Sequence, residues 1–120
     1  MTYYAHSIYK YNTDVEKYET SLILDSYINP NGSVDQTKSE EEIMQNCFEL
    51  IDKCNSLAFS SVDGVIGRGV AEEIDYAMCT GLKIYYIFGN KLNEIKSIAI
   101  KPIENSTTDR IYATFEYEVV

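Results

Sequence analysis

Residues 56–88 read SLAFSSVDGVIGRGVAEEIDYAMCTGLKIYYIF, and this stretch decides the fold. Its first part, Ser56–Val62, is short and mostly apolar, as expected of a strand buried in a parallel sheet. After a glycine-rich turn, apolar residues recur at helical spacing through Val70–Thr80. Gly81 then stands where a helix commonly ends, and Lys83–Phe88 is an apolar and aromatic run typical of a strand. A strand, a helix and a second strand in this order predict a right-handed βαβ crossover.

Two further helices are predicted on the N-terminal side of this unit. Each begins at a capping box, Thr13–Glu16 for the first and Ser39–Glu42 for the second. The first is predicted to span Asp14–Leu24 and to bury a side that carries Val15, Tyr18 and Leu22. The second has a longer apolar stripe at helical spacing, formed by Ile43, Cys47, Leu50, Ile51 and Cys54.

The remaining apolar segments complete a sheet. Strands are predicted at Thr2–Ile8, Ser26–Ile28, Ser97–Ile103 and Arg110–Val119, whereas Leu92–Ile95 is expected to form at most a helical turn. Because strands alternate with helices, the sequence predicts an α/β fold with helices on both faces of the sheet. We expect a single-domain, flavodoxin- or Rossmann-like three-layer sandwich with a mainly parallel sheet of about five or six strands.

The chain is acidic. It has 120 residues, ten Lys and Arg against nineteen Asp and Glu, and a formal net charge of −9. Partners with dense negative charge need a basic surface, so we expect neither nucleic acid nor an anionic membrane to bind. A small molecule in a local pocket is compatible with this charge. The first residues, MTYYAHSIY, lack the pattern of a secretory signal, and no apolar run has the length of a membrane span.

Three cysteines without CxxC spacing, Cys47, Cys54 and Cys79, predict reduced thiols that lie mostly in the core. We therefore expect a cytoplasmic protein. Because so short a chain buries only part of its surface, we also expect association into a homodimer or a higher homo-oligomer.

The functional edge of such a sheet is the one at which parallel strands end, because ligands of open α/β sheets bind there. Three segments follow strands at this edge, residues 5–9, 29–32 and 63–73. In the third, Gly67-Arg68-Gly69 lies between a strand and a helix. Glycines allow a ligand to approach the backbone, and free N–H groups of a helix start attract anions. A purely structural turn is the alternative, and the loop lacks the Gly-Lys-Ser/Thr of a nucleotide P-loop.

Glu73 is the most informative carboxylate of that helix. If Val70, Ile74 and Ala77 are buried, helical spacing places Glu73 at the edge of the apolar stripe. Its position near the helix start favours the ionised form, which suits a nucleophilic or charge-stabilising carboxylate. The alternative is an ordinary acid that complements the helix dipole.

The run GRGVAEEIDYA at 67–77, followed by GLKIY at 81–85, resembles the signature of the nucleoside 2-deoxyribosyltransferase family, which includes related deoxynucleotide N-glycosidases. That signature is a glycine loop, Glu-(apolar)-x-Tyr-Ala, and Gly-Lys before an apolar strand. Residues 3–8, YYAHSI, are similar to the family's first strand and substrate loop, and Asn29-Pro30 to the end of its second strand. The likeness covers most of residues 1–90 and implies one domain of this type over residues 1–120.

The resemblance implies chemistry at the N-glycosidic bond of a nucleoside or nucleotide. A glutamate attacks the anomeric carbon, and a base or water resolves the glycosyl-enzyme. It assigns the nucleophile to Glu73 and the tyrosine that orients it to Tyr3, and it requires no cofactor and no metal. A 5′-phosphate would meet Ser7, Lys10 and Arg68. The residues expected to bind substrate are Tyr3, Ala5, Ser7, Tyr9, Asn31, Gly67, Arg68 and Gly69.

The chain departs from this family where the family carries aspartates. Cys47 stands at the position of the aspartate that handles the proton of the base, and Asn55 at the position of a second aspartate. Two other residues are candidates for catalysis: His6, as proton donor to the departing base, and Asp63, as a ligand of sugar hydroxyls. The alternative for His6 is a structural hydrogen bond, and for Asp63 it is turn formation with Gly64.

Three functions stay open at this point. The leading one is a transferase or hydrolase of N-glycosidic bonds. The second is a nucleotide-binding or sensing module on the same fold, in which the missing aspartate marks lost catalysis. The third is an unrelated flavodoxin-like interaction domain.

Overall fold

One mixed sheet and three α-helices form the protein in the computed structural model, which describes residues 1–103 and 112–120. The strands are β1 (Thr2–Ala5), β2 (Tyr27–Ile28), β3 (Ser56–Phe59), β4 (Ile66–Gly67), β5 (Lys83–Phe88), β6 (Lys91–Pro102) and β7 (Tyr112–Val119). The helices are α1 (Asp14–Ser21), α2 (Glu40–Ile51) and α3 (Arg68–Cys79), and Ile8–Lys10 forms a single 3₁₀ turn.

The sheet has the strand order β2-β1-β3-β5-β6-β7-β4 over the described residues. Strands β2, β1, β3 and β5 are parallel, as the βαβ pattern predicts. The other half, from β5 through β6 and β7 to β4, is antiparallel. The α/β class is therefore confirmed, but the expectation of a mainly parallel sheet with about five or six strands is wrong.

A tight hairpin explains this difference. Gly89 and Asn90 both have positive φ, 61° and 63°, which is the backbone of the two-residue turn that joins antiparallel strands. Strand β6 therefore begins at Lys91, and the helical turn predicted at Leu92–Ile95 is wrong. The part of the last predicted strand at residues 110–111 lies outside the described residues.

Alternating side chains of the central strands enter two cores on opposite faces of the sheet. Tyr3 and Phe59 belong to the larger core, which α2 and α3 cover through residues such as Ile51 and Ile74. The residues that follow or precede these by one position, Tyr4 and Ala58, point to the other face. There they pack with Ile87 and with Ile23, which lies in the segment after α1. This period of two is the usual geometry of a strand.

The predicted helix starts are confirmed by their caps. The Thr13 side chain accepts from the Glu16 N–H, and the Ser39 side chain accepts from the Glu42 N–H. Gly81, with φ +84°, ends α3 in the left-handed conformation that favours glycine.

Helix α1 buries a different side from the one predicted. Val15 and Tyr18 are exposed by 49% and 48%, whereas Glu16 and Glu19 are buried. Glu19 accepts a hydrogen bond from the hydroxyl of Tyr4 and pairs with Lys10 Nζ at 3.1 Å. Polar partners on β1 and the following loop thus override the weak apolar pattern of this short helix, because buried carboxylates are stable only when paired.

None of the helices within residues 1–103 and 112–120 combines the length and the apolar character that crossing a bilayer requires.

Candidate active site

A cavity of about 680 Å³ lies beside the start of α3. Its walls come from the loop after β1, from the N-terminal part of α2, and from residues 67–73 at the start of α3. This volume is in the range of small-molecule sites. The segments after β1 and before α3 are two of those predicted to carry the site.

Glu73 lines this cavity and is otherwise buried, with 6% of its surface exposed. The hydroxyl of Tyr3, a fully buried residue of β1, donates a hydrogen bond to Glu73 Oε2. The tyrosine and the carboxylate that the resemblance pairs are therefore in direct contact. One side chain comes from the middle of the sheet and the other from the helix packed on it.

The charge state of Glu73 differs from the one expected at a helix start. Burial is the largest effect and raises the pKa of Glu73 to about 8, with a smaller contribution of the same sign from Glu72. The hydrogen bond from Tyr3 lowers the pKa but does not compensate. Removal from water thus outweighs the expected stabilisation of the ionised form.

Cys47 lies next to this pair on α2, where it is buried and also lines the cavity. Burial, followed by the charge of Glu73, raises the pKa of the Cys47 thiol to about 11. Burial and the neighbouring Glu73 and Cys47 also raise the pKa of Tyr3. Such a thiol is a weak acid, in agreement with the expected packing role. Asn55, the other position aligned with a family aspartate, instead accepts a bond from the N-terminal ammonium at 3.1 Å and lies outside the cavity lining.

His6 lies at the cavity wall with its side chain buried. Its Nε2 is 2.7 Å from Glu16 Oε2, its Nδ1 is 3.2 Å from the Tyr4 carbonyl oxygen, and its ring stacks on Tyr4. Burial, the largest effect, lowers the pKa of His6. Both ring nitrogens thus face protein acceptors, which matches the structural alternative. Proton donation by His6 to a leaving base stays a prediction.

Glu16 connects the loop after β1 to the loop after β2. Its carboxylate accepts from the Asn12 N–H at 3.1 Å and from Asn31 Nδ2 at 3.1 and 3.2 Å, in addition to the contact with His6. Burial acts to raise the pKa of Glu16, but these bonds together outweigh it and lower the pKa. Asn31 is not among the lining residues, although its neighbour Pro30 is. The structure therefore places Asn31 where it supports the cavity wall.

Asp63 is outside the cavity. It is exposed and, with Gly64, occupies the two central positions of a turn closed by the bridge between Val62 and Val65. The φ angles of Asp63 and Gly64 are 51° and 78°, as in a hairpin turn of this length. The structure thus matches the turn alternative for Asp63 and does not bring it to Glu73.

Of the other residues predicted to bind substrate, some line the cavity and one supports its wall from behind. Ser7 and Tyr9 line the cavity, and Ser7 Oγ accepts from the Tyr9 N–H at 3.2 Å. Ala5 is fully buried in β1, where its carbonyl accepts from the Ser60 N–H at 3.3 Å. Ala5 thus supports the wall from within the sheet.

The glycine loop is at the cavity edge as predicted. Gly67, Arg68 and Gly69 line it, and Gly67 is the N-cap of α3. Arg68 is exposed, and its Nε donates to Glu72 Oε1 at 2.9 Å. Lys10, the other basic residue considered for a phosphate, is buried and bonds Glu19 and Ser60 instead.

The sequence prediction missed the wall contributed by α2. Ile43, Met44 and Phe48 line the cavity and remain partly exposed, together with Tyr11 from the loop after β1. Ile43 belongs to the predicted stripe, but Met44 and Phe48 widen the apolar face beyond it. The sequence did carry a signal for this wall: the apolar face of α2 is wider than packing against the core alone requires.

No group of three or more His, Cys, Asp or Glu side chains in residues 1–103 and 112–120 is arranged to hold a metal ion. Comparisons of the chain with protein-family models, with curated proteins and with solved structures found no match.

Proposed function

We propose that this protein transfers or hydrolyses the N-glycosidic bond of a nucleoside or nucleotide, with Glu73 as the nucleophile. The observation that carries the proposal is the Glu73 carboxylate, buried, bonded by Tyr3 and in contact with a cavity of about 680 Å³. A buried carboxylate held by a phenol beside a sugar-sized space suits a two-step displacement at an anomeric carbon. The resemblance of residues 67–85 to nucleoside 2-deoxyribosyltransferases supports the same reading, with a flavodoxin- or Rossmann-like layered fold.

Two steps follow from this arrangement. In the first, Glu73 attacks the anomeric carbon while the bond to the base breaks, and the electron pair of that bond leaves with the base. Tyr3 keeps the carboxylate in position. In the second, water or an acceptor base displaces Glu73 from the sugar. Only the ionised carboxylate is a nucleophile, so the pKa of about 8 makes deprotonation of Glu73 part of the reaction.

The proposal extends to location and assembly. Three free thiols, at Cys47, Cys54 and Cys79, suit the reducing cytoplasm. Ile8 and Tyr9 line the cavity and are exposed by 53% and 63%, and a second copy of the chain would cover them in a homo-oligomer. Light scattering at working concentration tests this association, and a monomer contradicts it.

Base release from a panel of nucleosides and their 5′-monophosphates tests the activity. Glu73→Gln and Glu73→Ala should abolish release while the circular dichroism spectrum stays that of the folded protein. Addition of an acceptor base distinguishes transfer from hydrolysis. Release that survives both substitutions contradicts the role of Glu73.

The raised pKa of Cys47, at the position of the family's proton-handling aspartate, favours a second candidate function. In that case the cavity binds a nucleotide without turnover. A nucleoside or nucleotide would then raise the melting temperature through binding to the folded state alone, with no product after prolonged incubation at high protein concentration.

A further inference from the structure

The described wall of the cavity carries more negative than positive groups. Glu40 and Glu41, in the first turn of α2, and Glu72, on α3, line it, against Arg68, whereas burial favours the neutral forms of Glu73 and His6. Glu40 and Glu41 are exposed, and neither forms an ion pair with a described residue. A cleft lined by one sign of charge concentrates ligands of the opposite sign. The cavity therefore favours a cation.

The basic groups near the cavity are already paired. Arg68 donates to Glu72 at 2.9 Å. Both ring nitrogens of His6 face Glu16 and the Tyr4 carbonyl oxygen. Lys10 Nζ, 3.1 Å from Glu19 Oε2, lies outside the lining. Among the described lining residues, then, no basic side chain is positioned for an anionic ligand without loss of one of these bonds.

Apolar side chains of α2 in the cavity wall suit a flat aromatic ring. Ile43, Met44 and Phe48 present partly exposed apolar surface from α2, and Phe48 is held by stacking on Tyr76 at 4.2 Å between ring centroids. An aromatic face binds a heteroaromatic cation by stacking and by attraction of the charge to its π electrons.

Among the described lining residues, neither His6 nor Cys47 is suited to protonate the leaving base. Departure of an uncharged base as an anion is slow unless an acid protonates it. Both ring nitrogens of His6 face protein oxygens, and Cys47 stands where the family that the chain resembles has an acid. A base that already carries a positive charge leaves as a neutral molecule and needs no proton.

From these observations we infer that the substrate is a nucleoside whose base bears a fixed positive charge, such as an N-ribosylated or N-deoxyribosylated pyridinium or an N-alkylated purine. This inference rests on the proposed function. Glu73 Oε forms the bond to the anomeric carbon as the bond from that carbon to the ring nitrogen breaks. The electron pair of the broken bond stays on the nitrogen and cancels the positive charge of the ring. Water then displaces Glu73, and the proton of that water passes to the solvent.

Substrate charge and Glu73 ionisation would reinforce each other. A cation beside a carboxylate stabilises its ionised form. Binding of the substrate therefore generates the nucleophile from a group that burial otherwise keeps largely protonated at neutral pH.

Binding of two probes that differ in one methyl group tests the charge preference. The probes are nicotinamide and its pyridinium cation, methylated on the ring nitrogen, titrated calorimetrically at about pH 8.5. The cation should bind at least about tenfold more tightly. Glu73→Gln and Glu41→Gln should weaken the cation selectively, whereas Glu49→Gln, on the same helix but outside the lining, should not. Equal affinities, or no binding of the cation, overturn the inference.

Turnover of guanosine, 7-methylguanosine and their 2′-deoxy forms separates this inference from the proposed function. Each enzymatic rate is divided by the spontaneous rate, because methylated purine nucleosides are intrinsically labile. A larger acceleration for the methylated member, lost in Glu73→Gln, supports the inference. Equal or greater acceleration of guanosine that depends on Glu73 overturns the charge preference and leaves the proposed function standing. Absence of Glu73-dependent release from every nucleoside in the panel overturns both.

Discussion

The hydroxyl of Tyr3 donates a hydrogen bond to Oε2 of Glu73, a residue 70 positions further along the chain. One partner is fully buried in the first strand, and the other belongs to the second turn of α3 at the cavity. The pair therefore connects the centre of the sheet to the candidate active site. Its strength depends on the charge of Glu73, because a hydrogen bond to an ionised acceptor is stronger than one to a neutral acceptor.

Tyr3→Phe removes this bond and should raise the pKa of Glu73 further, since the Tyr3 hydroxyl lowers it in the native protein. In a plot of kcat/KM against pH, the rising limb should shift to higher pH by about one unit or more. Tyr18→Phe, which removes an exposed tyrosine bond to Asn90, is the matched control and should leave the profile in place. An unchanged profile in Tyr3→Phe would contradict the orienting role.

The pH dependence of stability follows from the raised pKa of Glu73. The unfolded chain releases this proton near the ordinary value of 4.5, whereas the folded protein retains it until about pH 8. The stabilising contribution of Glu73 is therefore complete below pH 4.5, and it declines by about 1.4 kcal/mol per pH unit between those two values.

Glu73→Gln should abolish this particular decline. Urea denaturation of both proteins between about pH 5 and 8 gives the difference in unfolding free energy, which should grow with pH in favour of the variant. The lowered pKa of His6 also costs stability as the pH falls through 6.5. Because His6 is present in both proteins, its effect on the unfolding free energy cancels in the difference. A difference that is constant with pH would show that Glu73 is ionised throughout.

Lys10 and Glu19 form a buried ion pair, each with a side chain about 10% exposed. Lys10→Met leaves Glu19 buried without its cation, and breaking a buried pair in this way costs about 3–5 kcal/mol. Lys101→Ala, in the exposed pair with Glu116, should cost much less, because solvent screens that pair. Chemical denaturation of both variants checks the contrast, and equal losses would contradict it.

Asn31 supports the loop after β1 by donating to both carboxylate oxygens of Glu16. Asn31→Asp keeps the shape but places two carboxylates together, which should destabilise the protein by about 1–3 kcal/mol and raise KM more than it lowers kcat. Asn29→Asp is the control, because Asn29 Oδ1 only accepts from the Asn31 N–H and an aspartate accepts equally well. Comparable effects in both variants would rule out a specific role for the contact with Glu16.

Local features of the sequence predicted the elements that depend on near neighbours. The capping boxes at Thr13 and Ser39 and the glycine after α3 act within one helical turn, so they were readable without the fold. The hairpin at Gly89-Asn90 was equally local. The Gly-Asn pair, whose φ angles are positive in the structure, was the sequence signal for β6, and the apolar pattern of residues 92–95 concealed it.

Burial of charged residues was not predictable in this way. Helix α1 buries Glu16 and Glu19 because His6 and Lys10 lie opposite them in space, and no periodicity of α1 records those partners. Asp63 illustrates the converse: its place after β3 suggested the site, but a two-residue turn directs it away from the cavity.

By itself, then, the sequence determined where the helices begin and which strands are parallel, since spacing and capping are short-range effects, and its resemblance to a known family made Glu73 a candidate nucleophile. Only the tertiary structure decided that the sheet is mixed, that Tyr3 contacts Glu73, and that burial raises the pKa of this carboxyl to about 8. The physical reason is that desolvation and pairing depend on the groups that folding brings around a side chain, and those groups come from distant parts of the chain.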